Sequence, residues 1–342
     1  MIDDPIDTAL VITTINEPNK IMEALAEGSI RHKRQFIVIG DRKGPKNFKL
    51  NGSWFVGIED QLKTGFRLPE LCPYGHYARK NIGYLLAMST GATVIQETDD
   101  DNIPYDTFWE IRDPQVSGEF YETGDWLNVY RLFSDLPIWP RGFPLQKLRS
   151  PVSEEADQAT LYCPIHQGLA EDNPDVDAIY RLVFDTEKSF RNREDVILRN
   201  TYCPFNSQNT QWQKEAFMLM YLPSYCSFRM TDIWRSFIAQ RIAYANGWGV
   251  CFHNATVYQE RNEHDLMRDF SDEVIGYLRN DEMVERLKSL KLHGTKERIG
   301  DDLIACYEVL CSDGFFKSEE IELVKAWVHD CYSIVGPRSL NV

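Results

Sequence analysis

The sequence predicts an α/β fold, with a mostly parallel central sheet, helices on both faces, and a helical C-terminal extension. Three observations predict it. Over about the first hundred residues, short β-branched apolar runs alternate with segments of helical period, which is the rhythm of βαβ units. The runs are continuous rather than alternating, as strands covered on both faces read. From about residue 266 onward the text is helical and charged. With 342 residues, 43% of them hydrophobic and 12% aromatic, the chain can bury a large core.

Residues 8–15 (TALVITTI) are the first buried strand, and Pro18 stands where a helix opens, so 21–30 (IMEALAEGSI) is that helix. Residues 35–39 (QFIVI) are the second strand, closed by GDRKGP, and 53–58 (SWFVGI) are the third. Residues 78–90 carry Ile82, Leu85 and Leu86 at helical spacing, with Gly91 at the C-cap. Residues 92–98 (ATVIQET) form a strand that runs straight into Asp99, Asp100, Asp101 and Asn102. Between 113 and 200, irregular connections carry short strands such as 127–133 (LNVYRLF) and 177–184 (DAIYRLVF). Residues 230–245 are a helix with an apolar stripe of Ile233, Trp234, Phe237, Ile238 and Ile242, and Thr231 is its expected N-cap. The rest is expected to form several short helices.

The net charge of −15 argues against nucleic acid as a partner, because counterion release needs a basic face. A phosphorylated ligand would need a divalent cation or a local basic cluster to offset repulsion. The N-terminus has no basic n-region, and no apolar stretch approaches ~18 residues, so neither a signal peptide nor a membrane-spanning segment is expected. Eight scattered cysteines without a CxxC pair read as unpaired thiols in a reducing cytoplasm.

In open parallel sheets ligands gather at the carboxyl ends of the strands, so 13–16, 40–43 and 98–102 are expected on one rim. Three adjacent carboxylates repel one another unless a cation neutralises them. In an extended backbone Asp99 and Asp101 point the same way and can share one Mg²⁺ or Mn²⁺ with a substrate diphosphate. A solvated acidic turn is the competing reading. Arg79 and Lys80 open the helix 78–90 against its dipole, which calls for an anion such as a diphosphate, or else for neighbouring surface acids. Asp232 is either a residue stabilised by its helix dipole or a general base. His253 and His264 are candidate metal ligands, or histidines satisfied locally. Trp139, Phe143, Trp212, Tyr221 and Tyr225 read as core more than as sugar-stacking rings.

Several segments, in order over 8–280, resemble the glycosyltransferase-like domain of the plant STELLO family. They are 77–85 (YARKNIGYL), 99–102 (DDDN), 138–145 (IWPRGFPL), 176–182 (VDAIYRL), 204–210 (PFNSQNT), 231–235 (TDIWR) and 260–264 (ERNEH). A looser similarity to reversibly glycosylated polypeptides, which are sugar-nucleotide mutases, rests on the acidic turn. The STELLO resemblance implies a GT-A nucleotide-sugar-binding catalytic domain over 1–268, with 269–342 as the helical extension. It implies a DXD-type turn in which Asp99, Asp101 and His264 hold Mn²⁺ or Mg²⁺, His253 being the second choice. Asp99, Asp100, Arg79, Lys80 and Gly142 would meet the donor diphosphate and sugar, and Thr13, Asn16 and Asp41 the nucleoside. Asp232 would be the base of an inverting transfer from a nucleotide-diphosphate sugar to a carbohydrate or glycolipid acceptor. The plant proteins are Golgi-anchored, and no anchor is read here, so cytoplasmic polysaccharide biosynthesis is the expected setting. The extension would cover the sheet, hold an acceptor or make a homodimer contact. A mutase and a non-catalytic sugar-nucleotide-binding assembly subunit are the alternatives. A pyrophosphorylase is disfavoured, because TTINEP has no glycine.

Overall fold

The structure, a computed structural model, describes residues 7–152, 156–184, 189–259 and 265–335. The strands are β1 (Thr8–Thr14), β2 (Gln35–Gly40), β3 (Ser53–Val56), β4 (Val94–Thr98), β5 (Asn102–Pro104), β6 (Gln115–Tyr121), β7 (Asp157–Tyr162), β8 (Ile165–Glu171), β9 (Val196–Leu198), β10 (Asn209–Gln213) and β11 (Val250–Gln259). They join in one sheet of order β3-β2-β1-β4-β10-β8-β11-β9-β6-β7, with β5 paired to β11. The helices are α1 (Lys20–Arg31), α2 (Ile58–Leu62), α3 (Leu68–Leu71), α4 (Lys80–Ser89), α5 (Val129–Phe133), α6 (Ala178–Val183), α7 (Thr231–Ala245), α8 (Leu266–Lys288), α9 (Ile299–Ser312) and α10 (Glu320–Val335).

The first two strands show why their sequences are apolar throughout. Leu10, Ile12, Phe36 and Val38 pack with Met22, Leu25 and Ala26 of α1. Their neighbours Ala9, Val11, Ile37 and Ile39 pack on the opposite face with Ile82, Leu85 and Leu86 of α4. Side chains alternate across a strand, so both sets must be apolar when both faces are covered.

The α/β class stands, but the sheet is mixed. β3, β2, β1 and β4 are parallel. β10 then runs antiparallel to both β4 and β8, and the far edge combines parallel and antiparallel pairs. Two expected strands are helices instead. The run 127–133 contains α5, and 177–184 contains α6, whose N-cap Asp177 accepts the Tyr180 amide at 2.7 Å. A short apolar run does not distinguish strand from buried helix, and here the cap decides. Thr231 is not the cap of α7 but its first residue, after a short 3₁₀ turn. All five residues of the α7 stripe are buried, and so are most of the others, so this helix lies inside the molecule.

The C-terminal helices are not an appendage. Met283, Val284, Leu287, Leu303, Leu310 and Trp327 belong to the same core as Ile82 and Leu85. Asp330 of α10 accepts the backbone amides of Arg67 and Leu68 at 3.0 and 2.9 Å, which caps α3 across the chain. Residue 268 falls in the first turn of α8, a helix of 23 residues rather than a short one. Among the described residues no helix is long and apolar enough to cross a membrane. All eight cysteines are free, and six are buried.

Candidate functional site

The parallel half of the sheet ends on one rim, as expected. The acidic segment after β4 closes into a turn rather than continuing extended, and its three carboxylates point to different parts of the fold. Asp100 swings toward the end of β1, where its Oδ2 accepts Thr14 Oγ1 at 2.5 Å and Asn16 Nδ2 at 3.0 Å. Asn19, the N-cap of α1, accepts the Met22 amide and donates to the Asp100 carbonyl at 3.1 Å. Asp101 accepts Gln259 Nε2 from β11 at 2.7 Å. Asp99 faces Lys80 Nζ at 3.1 Å. Burial pushes the Asp99 carboxyl above its ordinary range. Lys80 opposes the rise, while the charges of Asp101 and Asp232 add to it. The side chain is still 42% open to the cleft, so water there moderates the effect.

Beside the turn lies a cavity of about 260 Å³ lined by Thr13, Asn16, Asp41, Lys43, Asp100 and Phe228, with the 75–79 segment as its far wall. Asp41 Oδ2 accepts the Gly75 and His76 amides at 2.7 and 3.1 Å and so ties the end of β2 to that wall. His76 Nδ1 accepts the Ala78 amide. Burial pushes the His76 ring down to about 4, against the pull of Asp41, so the ring is neutral near pH 7. Tyr77 and His76 pack on the half-exposed Phe228, with ring centroids 4.8 and 5.2 Å apart. A shallower depression of about 500 Å³ at Phe48, Lys49, Leu50, Asn51, Ser53 and Phe55 has no carboxylate in its lining and offers no comparable chemistry.

The two basic residues at the head of α4 are turned inward. Arg79 also borders the cavity, but it is fully buried, with its guanidinium held by Gln61 Oε1, the Cys72 carbonyl and the Tyr74 ring. Its fork is engaged within the protein and is not free to meet a diphosphate. Lys80, equally buried, donates to the Thr98 and Ser207 carbonyls and to Asp99. Its anion is therefore the acidic turn itself.

Asp232, at the head of α7, is 5% exposed. Its oxygens accept Arg141 Nη2 at 3.1 and 3.2 Å, Ser207 N at 3.2 Å and Ser207 Oγ at 3.4 Å. Its own amide donates to Tyr77 Oη at 3.2 Å, so Tyr77 joins the cavity wall to the head of α7. Gly142 does not line the cavity. With φ of +87° it lies buried against Ile233, where a Cβ would come within 2.4 Å, and its carbonyl accepts Asn280. The neighbouring Arg141 is the residue of that loop that reaches the site. His253 is buried in β11 with Nδ1 against the Asn254 carbonyl, and His264 lies outside the described residues. Trp139, Phe143, Trp212 and Tyr221 are core side chains, and Tyr225 packs against them.

Several participants carry no chemical signature in the sequence. Asn206, Ser207 and Gln208 form a loop that touches Asp175, Asp232, Lys80 and Asn102. Asp175 pairs with Arg141 at 2.7 Å. The available signal was the intact PFNSQNT and IWPRGFPL segments.

Among the described residues no group of three or more His, Cys, Asp or Glu side chains is placed to hold a metal ion. The acidic turn fits a cation in a narrower sense. Asp99 and Asp101 repel each other, a hard ion relieves that repulsion, and Mg²⁺-like ions need only one or two carboxylates when phosphates and water complete the shell.

A cavity at the carboxyl ends of parallel strands, walled by an acidic turn, is where an α/β protein of the doubly wound class would take a ligand. A family model described as STELLO glycosyltransferases matches residues 229–336. Two Arabidopsis thaliana proteins described as probable glycosyltransferases, STELLO2 and STELLO1, are 25% identical over 319 residues and 23% identical over 330. These matches cover 86% and 88% of this chain, which spans 41% of each relative's length. The chain is STELLO-like over most of its length, as its motifs indicate. Among solved structures, a mycobacterial protein gives a TM-score of 0.40 at 10% identity, covering 80% of this chain and 74% of that one. M. tuberculosis glucosyl-3-phosphoglycerate synthase gives 0.38 at 11% identity, covering 80% of each chain.

Proposed function

We propose that this chain transfers a sugar from a nucleotide-diphosphate sugar to a hydroxyl of a carbohydrate or glycolipid acceptor. The observation that carries the reading is Asp100, drawn by Thr14 and Asn16 to the mouth of the strand-end cavity, in a chain similar to probable glycosyltransferases. The cavity, about 260 Å³, falls just below the ~300 Å³ at which ligand pockets commonly begin. It suits the nucleoside, with the diphosphate and sugar extending past Asp100 toward Asp99. Thr13, Asn16 and Asp41 line the nucleoside end, and neutral His76 with Phe228 forms its aromatic side.

Asp99 and Asp101 would hold Mn²⁺ or Mg²⁺. A bound ion supplies charge stabilisation to the departing diphosphate. Lys80 fixes the turn by holding Asp99 and the carbonyls of Thr98 and Ser207 together. Asp232 takes the acceptor proton in a single inverting displacement. Arg141, Ser207 and the helix start orient its carboxylate. Buried unpaired thiols and a net acidic surface fit a reducing cytoplasmic setting, with polysaccharide biosynthesis as the process served. A homodimer through the C-terminal helices is compatible with this scheme.

The test is a thermal-shift screen of nucleotide-diphosphate sugars with and without Mn²⁺, followed by transfer assays with the donor that binds. A donor-specific, metal-dependent rise in melting temperature is expected, and Asp100→Ala removes it. Stabilisation by free sugars alone, unaffected by Asp100→Ala, would refute the reading.

A further inference from the structure

Behind the cavity three charged side chains are buried together, and Arg141 divides its fork unequally between the two acids. To Asp175 it presents two donors, Nε to Oδ1 at 2.7 Å and Nη2 to Oδ2 at 2.7 Å. To Asp232 it offers only the same Nη2, shared between both oxygens at 3.1 and 3.2 Å. Its remaining nitrogen, Nη1, donates to the Arg229 carbonyl. The Asp175 pair is therefore the short bidentate kind that planar guanidinium favours, and the Asp232 contact is the long remainder. Asp175 is held in turn by Asn206 Nδ2 at 3.0 Å, and Asn206 belongs to the same loop as Ser207, which orients Asp232. A lone arginine beside Asp232 would lower its basicity as it ionised it. One already neutralised by a second carboxylate does so much less.

We propose that Asp175 is a positioning residue for Asp232: by engaging Nε and Nη2 of Arg141 at short distance it leaves Asp232 a single shared donor, and so sets how strongly Arg141 bears on Asp232. The inference rests on the reading of Asp232 as the acceptor base. Among the described residues, the groups coupled to the charge of Asp232 include Arg141, Tyr77, Asp99, Arg235 and Cys226. Only Arg141 is also paired to Asp175. The charges of Arg229 and Arg181 also bear on Asp175. Arg141 holds the Asp175 carboxyl down at about 2, against the upward push of burial, as a fully engaged partner should.

The two other members of the triad therefore act on Asp232 with opposite sign. In Asp175→Asn the freed fork turns to Asp232, whose titration moves to lower pH. In Arg141→Gln the cation is gone, and the titration moves to higher pH. Each shift is expected to be about one pH unit or more. The measurement is carboxyl-carbon NMR of the full chain labelled at aspartate, titrated for wild type and both variants, with Asp232→Asn assigning the resonance. The ascending limb of the transfer rate against pH, where a donor is found, should move in the same two directions, with a lower plateau in Asp175→Asn. Asp175→Glu should restore the wild-type limb in part. If Arg141→Gln does not fold, the isosteric Asp175→Asn decides alone. Shifts in the same direction, or none, in folded variants overturn the proposal. Transfer that survives Asp232→Asn overturns the base reading instead, and the NMR titration still decides how Arg141 is shared.

Discussion

Asp100 is constrained from three directions, by Thr14, Asn16 and Asn19. Its replacement by alanine leaves two of those side-chain donors without their acceptor. That loss is expected to cost about 1–2 kcal/mol of stability in urea unfolding, in addition to abolishing the donor-induced melting shift. Asp101→Ala should behave differently. It leaves the contacts of Asp100 in place, so the fold persists while metal-dependent turnover disappears, and an active, metal-indifferent variant would contradict the role given to the turn. Arg79→Ala separates packing from binding. The guanidinium is buried on Gln61 and Cys72, so the expected loss is in unfolding free energy, by about 2 kcal/mol or more, rather than in donor affinity. At this scale the sequence revealed the residues whose chemistry is written in their type. Three adjacent carboxylates after a strand are legible. Asp175, Asn19 and Gln208 are ordinary polar residues until the tertiary fold sets them against partners far along the chain.

Among the elements, β8 and β11 hold an acid-sensitive pair. His166 is fully buried, and burial pushes it down to about 3, with Arg112 adding to the effect. His253, from the adjacent strand, is lowered by burial together with the charges of Arg112 and His166. A histidine depressed in the folded state opposes folding as acid is added, because the unfolded chain takes up the proton first. Stability should be complete above about pH 6.5 and decline as pH falls toward 3, by about 1.4 kcal/mol per pH unit for each such ring. Urea midpoints measured from pH 7 to 4 check this, and His166→Gln should flatten the slope. The parallel strands were legible because two covered faces force unbroken apolar runs. The helices α5 and α6 were not, because five or six residues, an arginine among them, carry no readable period, and for α6 the Asp177 cap, itself held by Trp139, selects the helix.

Over the whole molecule, a single core joins the parallel half of the sheet to the C-terminal helices. The expected consequence is one cooperative unfolding transition for the full chain. Trp327→Ala, which removes a fully buried ring whose Nε1 donates to the Met218 carbonyl at 2.9 Å, should cost about 3–5 kcal/mol and leave the transition two-state. The charged C-terminal text reads as a separate extension because its acids resemble surface acids. Glu320 and Asp330 are instead buried acceptors for distant backbone amides.

That arrangement bears on how the polypeptide is made. The Arg67 and Leu68 amides wait for a carboxylate more than 260 positions downstream (262 for Leu68 and Asp330). While a ribosome is still adding α9, the early strands have emerged, yet the part of α4 that packs on α10 is still open. Native structure can therefore close around α3 and α4 only once α10 has been made, and shorter nascent chains leave that oily surface open.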